Sequence, residues 1–340
     1  MNPAFLDFLR CPKTGAKLEC VDGEFVQGRI RRGLLRVPGA PHAYPIIDFI
    51  PRFVQNENYA ENFGLEWNIH SRTQYDAASG HDTSHRRFVE ETRWPHDLRG
   101  EIILEIGSGS GRFTEHALAT GATVVSFDFS RAVEANYCSN GHHDNLLLVQ
   151  ASIFEMPFPR DCFDRAFCFG VLQHTPDPKA AFIHVIDFLK PDGQIAADIY
   201  IKNFYRWVLP FKYWVRPFTK GRPPEKLYRY ITRYVDFMWP LARTLRRIPR
   251  VGSPLNWKLL IGDYSRELPH ADEATLKQWA YLDTFDMLSP AYDFPQTVGT
   301  FRRWFCEAGY TDIDVHEGYN GVEGRGRKPA IASAPHSLAA

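Results

Sequence analysis

Five short apolar runs, spaced evenly through residues 101–200, dominate the pattern of the chain. They read IILEI (102–106), TVVSFD (123–128), LLLVQ (146–150), DRAFCFG (164–170) and QIAADIY (194–200). Each is nearly continuous in apolar character and too short for a buried helix, so each predicts a strand covered on both faces. Stretches with helical spacing lie between them, such as Pro178–Leu189. Strand and helix in alternation predict a parallel sheet packed between helices. Upstream, residues 56–100 are polar, and Tyr59, Phe63 and Trp67 recur every four residues, which places them on one helix face. Residues 1–55 carry short alternating segments rich in Gly and Pro, the pattern of a small β-rich unit. Residues 201–340 hold a long insertion, a helix near 296–308 and strands near 313–317 and 328–332. No repeat or low-complexity tract interrupts this order.

Composition changes the picture little. The chain has 340 residues, 44% of them hydrophobic and 24% charged, which suits a globular protein with a substantial core. Forty Lys and Arg balance forty Asp and Glu, which argues against a uniformly basic nucleic-acid binder and against an acidic disordered chain. The N-terminus lacks the apolar stretch of a signal peptide, and no segment has the ~20 apolar residues that span a bilayer. Six Cys are scattered without a framework. That pattern suits reduced thiols and a cytoplasmic location. Aromatic content is high at 14%, which suggests a deep apolar cavity or an aromatic interaction surface.

The chemistry is carried by ILEIGSGSGRF. A buried strand runs through Glu105 into Gly107, Gly109 and Gly111, and a helix begins near Arg112. Glycines allow a sharp turn and let a ligand approach without meeting a Cβ. The following helix offers free N–H groups. A dinucleotide fingerprint would need Gly at 112, where Arg stands, and the phosphate loop ending in Lys-Ser/Thr is absent. A glycine turn without a phosphate device suggests a ligand without a pyrophosphate. The second strand ends in Asp128, 17 residues after Gly111, where a carboxylate accepts both hydroxyls of a ribose. ASIFEMPF (151–158) follows the third strand and FGVLQHTPDP (169–178) the fourth.

These four motifs, in this order and spacing, resemble the class I S-adenosylmethionine-dependent methyltransferases. The resemblance implies an α/β fold, a Rossmann-like doubly wound sheet of seven strands. It implies that Glu105, Gly107, Ser108, Gly109 and Gly111 wrap the methionine part of S-adenosyl-L-methionine. Asp128 would hold the ribose, with Phe129 beside the adenine and Ser152 and Ile153 at its edge. Many relatives carry Asp where this chain has Ser152. Phe169, Gly170 and Gln173 would line the methyl side. NYAENFGLEWNIHSRTQYD (58–76) is similar to the helical lead-in of bacterial methyltransferases with an F-G-x-x-W signature, whose aromatics cover the methionine end. Trp67 would do so here; ordinary core packing of Phe63 and Trp67 is the other reading. Arg72 is a candidate partner of the cofactor carboxylate, or simply an exposed Arg. DTFDMLSPAYDFPQTVGTFRRWFCEAGY (283–310) resembles the C-terminal part of the same group. There an Asp-x-x-x-Pro-x-Tyr loop, matched by Asp286, Pro290 and Tyr292, approaches the substrate; a turn without ligand contact is the alternative.

Residues 5–54 resemble the small zinc-ribbon activators of tRNA and protein methyltransferases, here fused in one chain. Tetrahedral zinc takes four thiolates or imidazoles. Thr14 fills the second position of CPKT, the later segment LLRVPGAPHAYPII has no Cys, and Cys11, Cys20 and His42 are too few and too irregular. The expectation is a degenerate ribbon that folds without metal.

Residues 204–266 contain 14 Lys or Arg against three acids, an excess of 11 positive charges, together with 14 aromatics. The zero net charge is therefore a cancellation between a basic, aromatic insertion and an acidic body. The insertion follows the fifth strand, where methyltransferases commonly carry a substrate cap. A solvated cap, a pocket for an anionic small molecule and a peripheral membrane contact through 204–218 are its readings; nucleic acid is disfavoured, because no RNA-binding module is visible. The domains follow: 1–55 ribbon-like, 56–100 helical lead-in, 101–202 and 271–340 methyltransferase core, 203–270 cap.

Methyl transfer from a sulfonium needs alignment in a water-poor site, and a base only where the nucleophile must lose a proton. His174, just after the fourth strand, is the candidate base or a structural His. Tyr200 and Tyr292 are candidates to hold a developing cation. Nothing resembles the acidic metal cluster of catechol-type enzymes, so no metal is expected. The function expected is methyl transfer to a small, anionic or lipid-linked metabolite. The alternatives are an RNA or protein methyltransferase, disfavoured because FGVL stands where N-P-P-Y is needed, and a non-catalytic protein that kept the cofactor fold.

Overall fold

Seven strands form the central sheet in the order β10-β11-β9-β8-β5-β6-β7. They are β5 (Ile102–Ile106), β6 (Thr123–Asp128), β7 (Leu146–Gln150), β8 (Phe163–Cys168), β9 (Leu189–Ile199), β10 (Thr311–Glu317) and β11 (Val322–Arg327). The five strands β5 to β9 are parallel, and β11 runs antiparallel to both β9 and β10. The order reverses direction at β5, so the chain winds first to one side and then to the other. In such sheets ligands bind beyond the carboxyl ends of the strands at the reversal. The computed structural model describes residues 1–54, 58–202 and 211–330. Arg206 and Trp207 of the insertion, the rest of 204–210, and positions 331–332 of the last expected strand lie outside the described residues.

The first three strands match the apolar runs residue for residue. Three expectations shift. The fourth strand is Phe163–Cys168 rather than 164–170, so Phe169 and Gly170 lie past its end. The fifth strand begins at Leu189, because its first half pairs with β8 through Phe163 and Leu189 before the apolar run starts. The last strand is Val322–Arg327 rather than 328–332. It is spelled VEGRGR, and its pairing with β9 and packing under Phe305 come from the tertiary fold. A Cβ at Gly324 would lie 2.5 Å from the Phe305 ring.

The helices α1 (Glu61–Ile69), α2 (Asp76–Ser79) and α3 (Thr83–Thr92) form the lead-in. α4 (Arg112–Ala119), α5 (Val133–Asn140) and α6 (Pro178–Val185) are the crossovers, and α11 (Val298–Glu307) precedes β10. The N-terminal unit is an antiparallel sheet of β1 (Glu19–Val26), β2 (Arg29–Arg36), β3 (Ala43–Ile47) and β4 (Ile50–Pro51). It continues the edge of the large sheet. Arg52 bridges Gln150 in parallel, and the Phe53 N–H donates to the Gln150 carbonyl at 2.8 Å. Leu9, Ile30, Leu35 and Ile46 join Leu104, Val125 and Leu147 in one apolar cluster. Cys11 Sγ lies 3.4 Å from the Tyr44 hydroxyl, and His42 is exposed.

The cap is built from α7 (Phe211–Thr219), α8 (Pro224–Leu245), α9 (Gly252–Lys258) and α10 (Glu273–Leu288). Leu227, Ile231, Val235, Trp239 and Ala242 recur at helical spacing along α8 and are buried. They pack against Leu276, Ala280, Phe285 and Leu288 of α10. This helix, grouped with the core on sequence grounds, is thus part of the cap's apolar cluster. No helix among the described residues is long and apolar enough to cross a membrane.

Candidate functional site

A cavity opens at the carboxyl ends of β5, β6 and β8 and is roofed by α1 and α10. Its floor is the turn Gly107-Ser108-Gly109. Gly107 has φ +73°, and a Cβ there would lie 2.3 Å from Val171 Cγ2. Gly109 has φ +52°, and the Trp67 indole lies over it, 3.2 Å from where a Cβ would stand. Both positions need glycine for conformation and for space. Asp128, at the tip of β6, accepts from the Gly109 N–H at 2.9 Å and from the Ser130 N–H and hydroxyl at 2.8 and 2.7 Å. An ionised carboxylate has about four lone-pair sites, so capacity remains for a ligand. Phe129, Ile153, Phe169, Gly170, His174 and Tyr200 also line the cavity.

Six sequence candidates stand off it. Glu105 lies behind the glycine turn, fully buried, where it accepts from Thr114 and Ser126 hydroxyls at 2.5 and 2.6 Å. Burial pushes its carboxyl up to about 7 despite those donors. Gly111 caps α4 in the left-handed region and faces Asn136, not the cavity. Ser152 turns back to its own loop, accepting from the Phe154 N–H at 3.2 Å. Gln173 is buried outside the cavity lining. Arg72 stacks toward Tyr75, 5.8 Å from its centroid. Tyr292 contributes its backbone: its carbonyl lies 3.0 Å from His174 Nδ1. A carbonyl only accepts, so Nδ1 is the donor, and in the neutral tautomer that this selects Nε2 is the accepting nitrogen. The His174 ring is held between Phe63 and Tyr200, at centroid distances of 5.0 and 5.4 Å.

The structure brings in residues that motif reading passed over. Arg87 lines one wall and is paired with both Glu91 and Asp198. Asp198 in turn accepts from the Gly170 N–H at 2.5 Å. One guanidinium faces two carboxylates, and burial pushes Glu91 up to about 8. Arg112 also lines the cavity, over the Phe113 ring at 4.5 Å. Burial and the like charge of Arg87 lower it to about 10. Under α1 and α10, Glu66, Asp283 and Asp286 line the cavity with Tyr264 and Trp279, and Arg112 is near enough for its charge to act on Asp283. Asp286 Oδ2 accepts from the Tyr200 hydroxyl at 3.0 Å. One signal was available: Glu66, in the FGLEW segment, shares a helix face with Phe63, and Asp283 and Asp286 sit three apart beside Trp279 and Leu282.

The basic insertion does not supply the cavity. Among the described residues, no Lys or Arg between 211 and 270 lines it. Lys212 pairs with Asp293 at 2.8 Å, Arg216 donates to the Pro290 carbonyl at 2.8 Å, and Arg246 pairs with Glu273 at 3.4 Å. The anionic-pocket expectation assumed that cap cations face inward; α8 instead turns its apolar stripe inward and its charges out.

Burial pushes Asp283 up to about 8 and Glu66 well above its ordinary range, reinforced in each case by neighbouring carboxylates. Folded Asp283 therefore holds a proton that the unfolded chain has released. Its contribution to stability is full near pH 4 and is lost as pH rises through about 8. Asp283→Asn should lose less melting temperature between pH 5 and pH 8 than the native chain does. Equal losses in calorimetric melts would contradict the assignment.

Residues 104–197 match the family described as a methyltransferase domain. The chain is 30% identical over 127 residues to a demethylmenaquinone methyltransferase of Clavibacter sepedonicus, covering 37% of this chain and 51% of that protein. It is 28% identical over 123 residues to a ubiquinone biosynthesis O-methyltransferase of Thiobacillus denitrificans, covering 35% and 52%. It is 29% identical over 119 residues to a sterol 24-C-methyltransferase of Pneumocystis carinii, covering 34% and 30%. The chain thus spans about a third to a half of the length of these relatives. A solved 1,6-didemethyltoxoflavin-N1-methyltransferase of Burkholderia thailandensis aligns over 91% of this chain and all of that one, at 14% identity and a TM-score of 0.42.

Proposed function

We propose that the chain is an S-adenosylmethionine-dependent methyltransferase acting on a small molecule. The observation that carries this reading is the glycine turn and Asp128, set side by side at the carboxyl ends of β5 and β6 and opening into a cavity that also holds His174. The residues present fit the cofactor. Gly107 and Gly109 leave their backbone open where a Cβ would intrude, and the buried Ser108 hydroxyl has no partner among the described residues. Asp128 would take the ribose hydroxyls, Phe129 and Ile153 the adenine, and Trp67 would cover the methionine end. Arg112 would take the methionine carboxylate in place of Arg72, because it lines the cavity and its guanidinium is in no ion pair among the described residues. The cofactor supplies a methyl group on a sulfonium, open to in-line displacement. His174 Nε2 would accept a proton from an acceptor group, and the Tyr292 carbonyl 3.0 Å from Nδ1 supports that role. The N-terminal unit is read as a ribbon-like fold that needs no metal.

Calorimetric titration with S-adenosylmethionine and S-adenosylhomocysteine tests the reading. Both should bind, and Asp128→Ala should weaken each by about tenfold or more, the loss of hydrogen bonds to a charged group. His174→Ala should keep that binding and lower turnover by about 10²-fold or more. Absence of binding to the native chain would favour the non-catalytic alternative.

A lipid-presented acceptor is a second reading, favoured by the cap's outer face. Trp214, Phe218 and Phe237 are 67%, 74% and 81% exposed, and Lys220, Arg222, Arg229 and Arg233 on the same two helices and their connection are exposed as well. Bulky aromatics among cations suit an anionic lipid interface. The native chain should sediment with vesicles containing phosphatidylserine and not with phosphatidylcholine alone, and added salt should release it. Replacing the three aromatics with Ser should weaken that binding by about tenfold or more. Equal binding by the triple variant would remove this reading.

A further inference from the structure

Buried polar groups without partners are few in folded proteins, and each calls for an explanation. Here several of them face one end of one cavity. Glu66 is 0% exposed, and neither carboxylate oxygen has a hydrogen-bond partner among the described residues. Asp283 Oδ2 and the Trp279 indole N–H are in the same condition. All three residues line the cavity, and Asp286 completes a trio of carboxylates there. The trio comes from two elements, Glu66 from α1 and Asp283 and Asp286 from α10, so no local turn or cap accounts for it.

Two guanidinium groups line the same cavity. Arg87 is paired with Glu91 and Asp198. Arg112, over the Phe113 ring, is near enough for its charge to act on Asp283, yet it makes no ion pair with any of the three carboxyl groups among the described residues. The cap's described cations do not reach the cavity. What surrounds the trio is aromatic: Phe63, Trp67, Tyr200, Tyr264 and Trp279 share the lining. Three carboxyl groups with unpartnered acceptor oxygens disfavour an anion and an apolar ligand alike. A cation placed among them favours the ionised carboxylates that burial otherwise disfavours, gives the orphan oxygens hydrogen-bond donors, and meets the negative faces of the rings.

We propose that the α1/α10 end of the cavity binds a ligand through an ammonium group, held by Glu66, Asp283 and Asp286 against the aromatic wall. The acceptor class is thus an amine-bearing small molecule rather than an anion. The inference rests on the methyl-transfer reading for calling that ligand the acceptor; the cation site itself does not.

The full chain, saturated with S-adenosylhomocysteine, is titrated calorimetrically with three probes of similar shape: 2-phenylethylamine, 2-phenylethanol and 3-phenylpropanoate. The amine should bind about tenfold or more tighter than the alcohol, and the carboxylate should not bind. Glu66→Gln keeps the shape, and should weaken the amine by about tenfold or more while holding S-adenosylhomocysteine affinity within about twofold. The proposal is overturned if the alcohol or the carboxylate binds as well as the amine, if no probe binds, or if Glu66→Gln leaves amine binding unchanged. It is also overturned if Glu66→Gln weakens S-adenosylhomocysteine as much as the amine, because the trio would then serve the cofactor's own ammonium. If S-adenosylhomocysteine fails to bind and the amine still does, the functional reading falls and the cation site stands.

Discussion

Arg87→Leu should lower the unfolding free energy by about 3–5 kcal/mol in urea titrations. The guanidinium is buried and paired with Glu91 and Asp198, which are themselves buried. Removing it leaves two carboxylates in the interior, one of which can protonate and one of which must stay uncompensated. The loss is a large share of the ~5–15 kcal/mol by which a domain is stable. It also reaches the cavity, because Asp198 anchors the Gly170 N–H and accepts from the Asn320 amide at 3.1 Å. Adding Asp198→Asn to Arg87→Leu should restore part of the stability, since it removes the second charge along with the first. A change below about 1 kcal/mol for the single variant would show that the pair contributes no more than a surface ion pair.

Gly107→Ala should raise the dissociation constant of S-adenosylhomocysteine by about 30- to 1000-fold, equivalent to about 2–4 kcal/mol. Two costs combine. A residue with a Cβ is disfavoured by ~1–2 kcal/mol at a left-handed position, and Gly107 sits at φ +73°. The new methyl would also meet Val171 Cγ2 at 2.3 Å, and Val is stiff at χ1, so the turn rather than the side chain must yield. Relief by Val171→Ala is the diagnostic: the double variant should recover the steric part and keep the conformational part. Titration of the three proteins by calorimetry separates these contributions. Unaltered affinity in Gly107→Ala would mean that the cavity floor is not where the ligand sits.

The legibility of this chain divides along a physical line. Runs such as LLLVQ are apolar on both faces, so their strands and their parallel pairing follow from burial alone. The glycine turn is legible because backbone conformation leaves a residue-specific trace: Gly107 and Gly109 occupy conformations that other residues rarely adopt. Asp128 is legible for a related reason, since a strand end followed by a carboxylate has few structural uses. The strand VEGRGR carries no such trace; its two glycines exist to clear Phe305, a contact that only the assembled sheet creates.

Composition gives the amount of charge but not its direction. The excess of 11 positive charges in 204–266 is a property of the sequence, and its direction is not. A helix of period 3.6 with an apolar stripe must put its remaining positions outward, and α8 does so with Arg229, Arg233 and Arg243. Besides Asp128, the acids that face the cavity are scattered through the chain at Glu66, Asp283 and Asp286; helical spacing puts them beside aromatic neighbours but does not bring the two helices together. The sequence by itself determined the parallel sheet, the glycine cradle and the carboxylate at the tip of β6, because each is written in neighbouring residues. Only the tertiary structure decided which charged side chains line the cavity under α1 and α10, because that depends on which distant side chains fold inward together and lose their water.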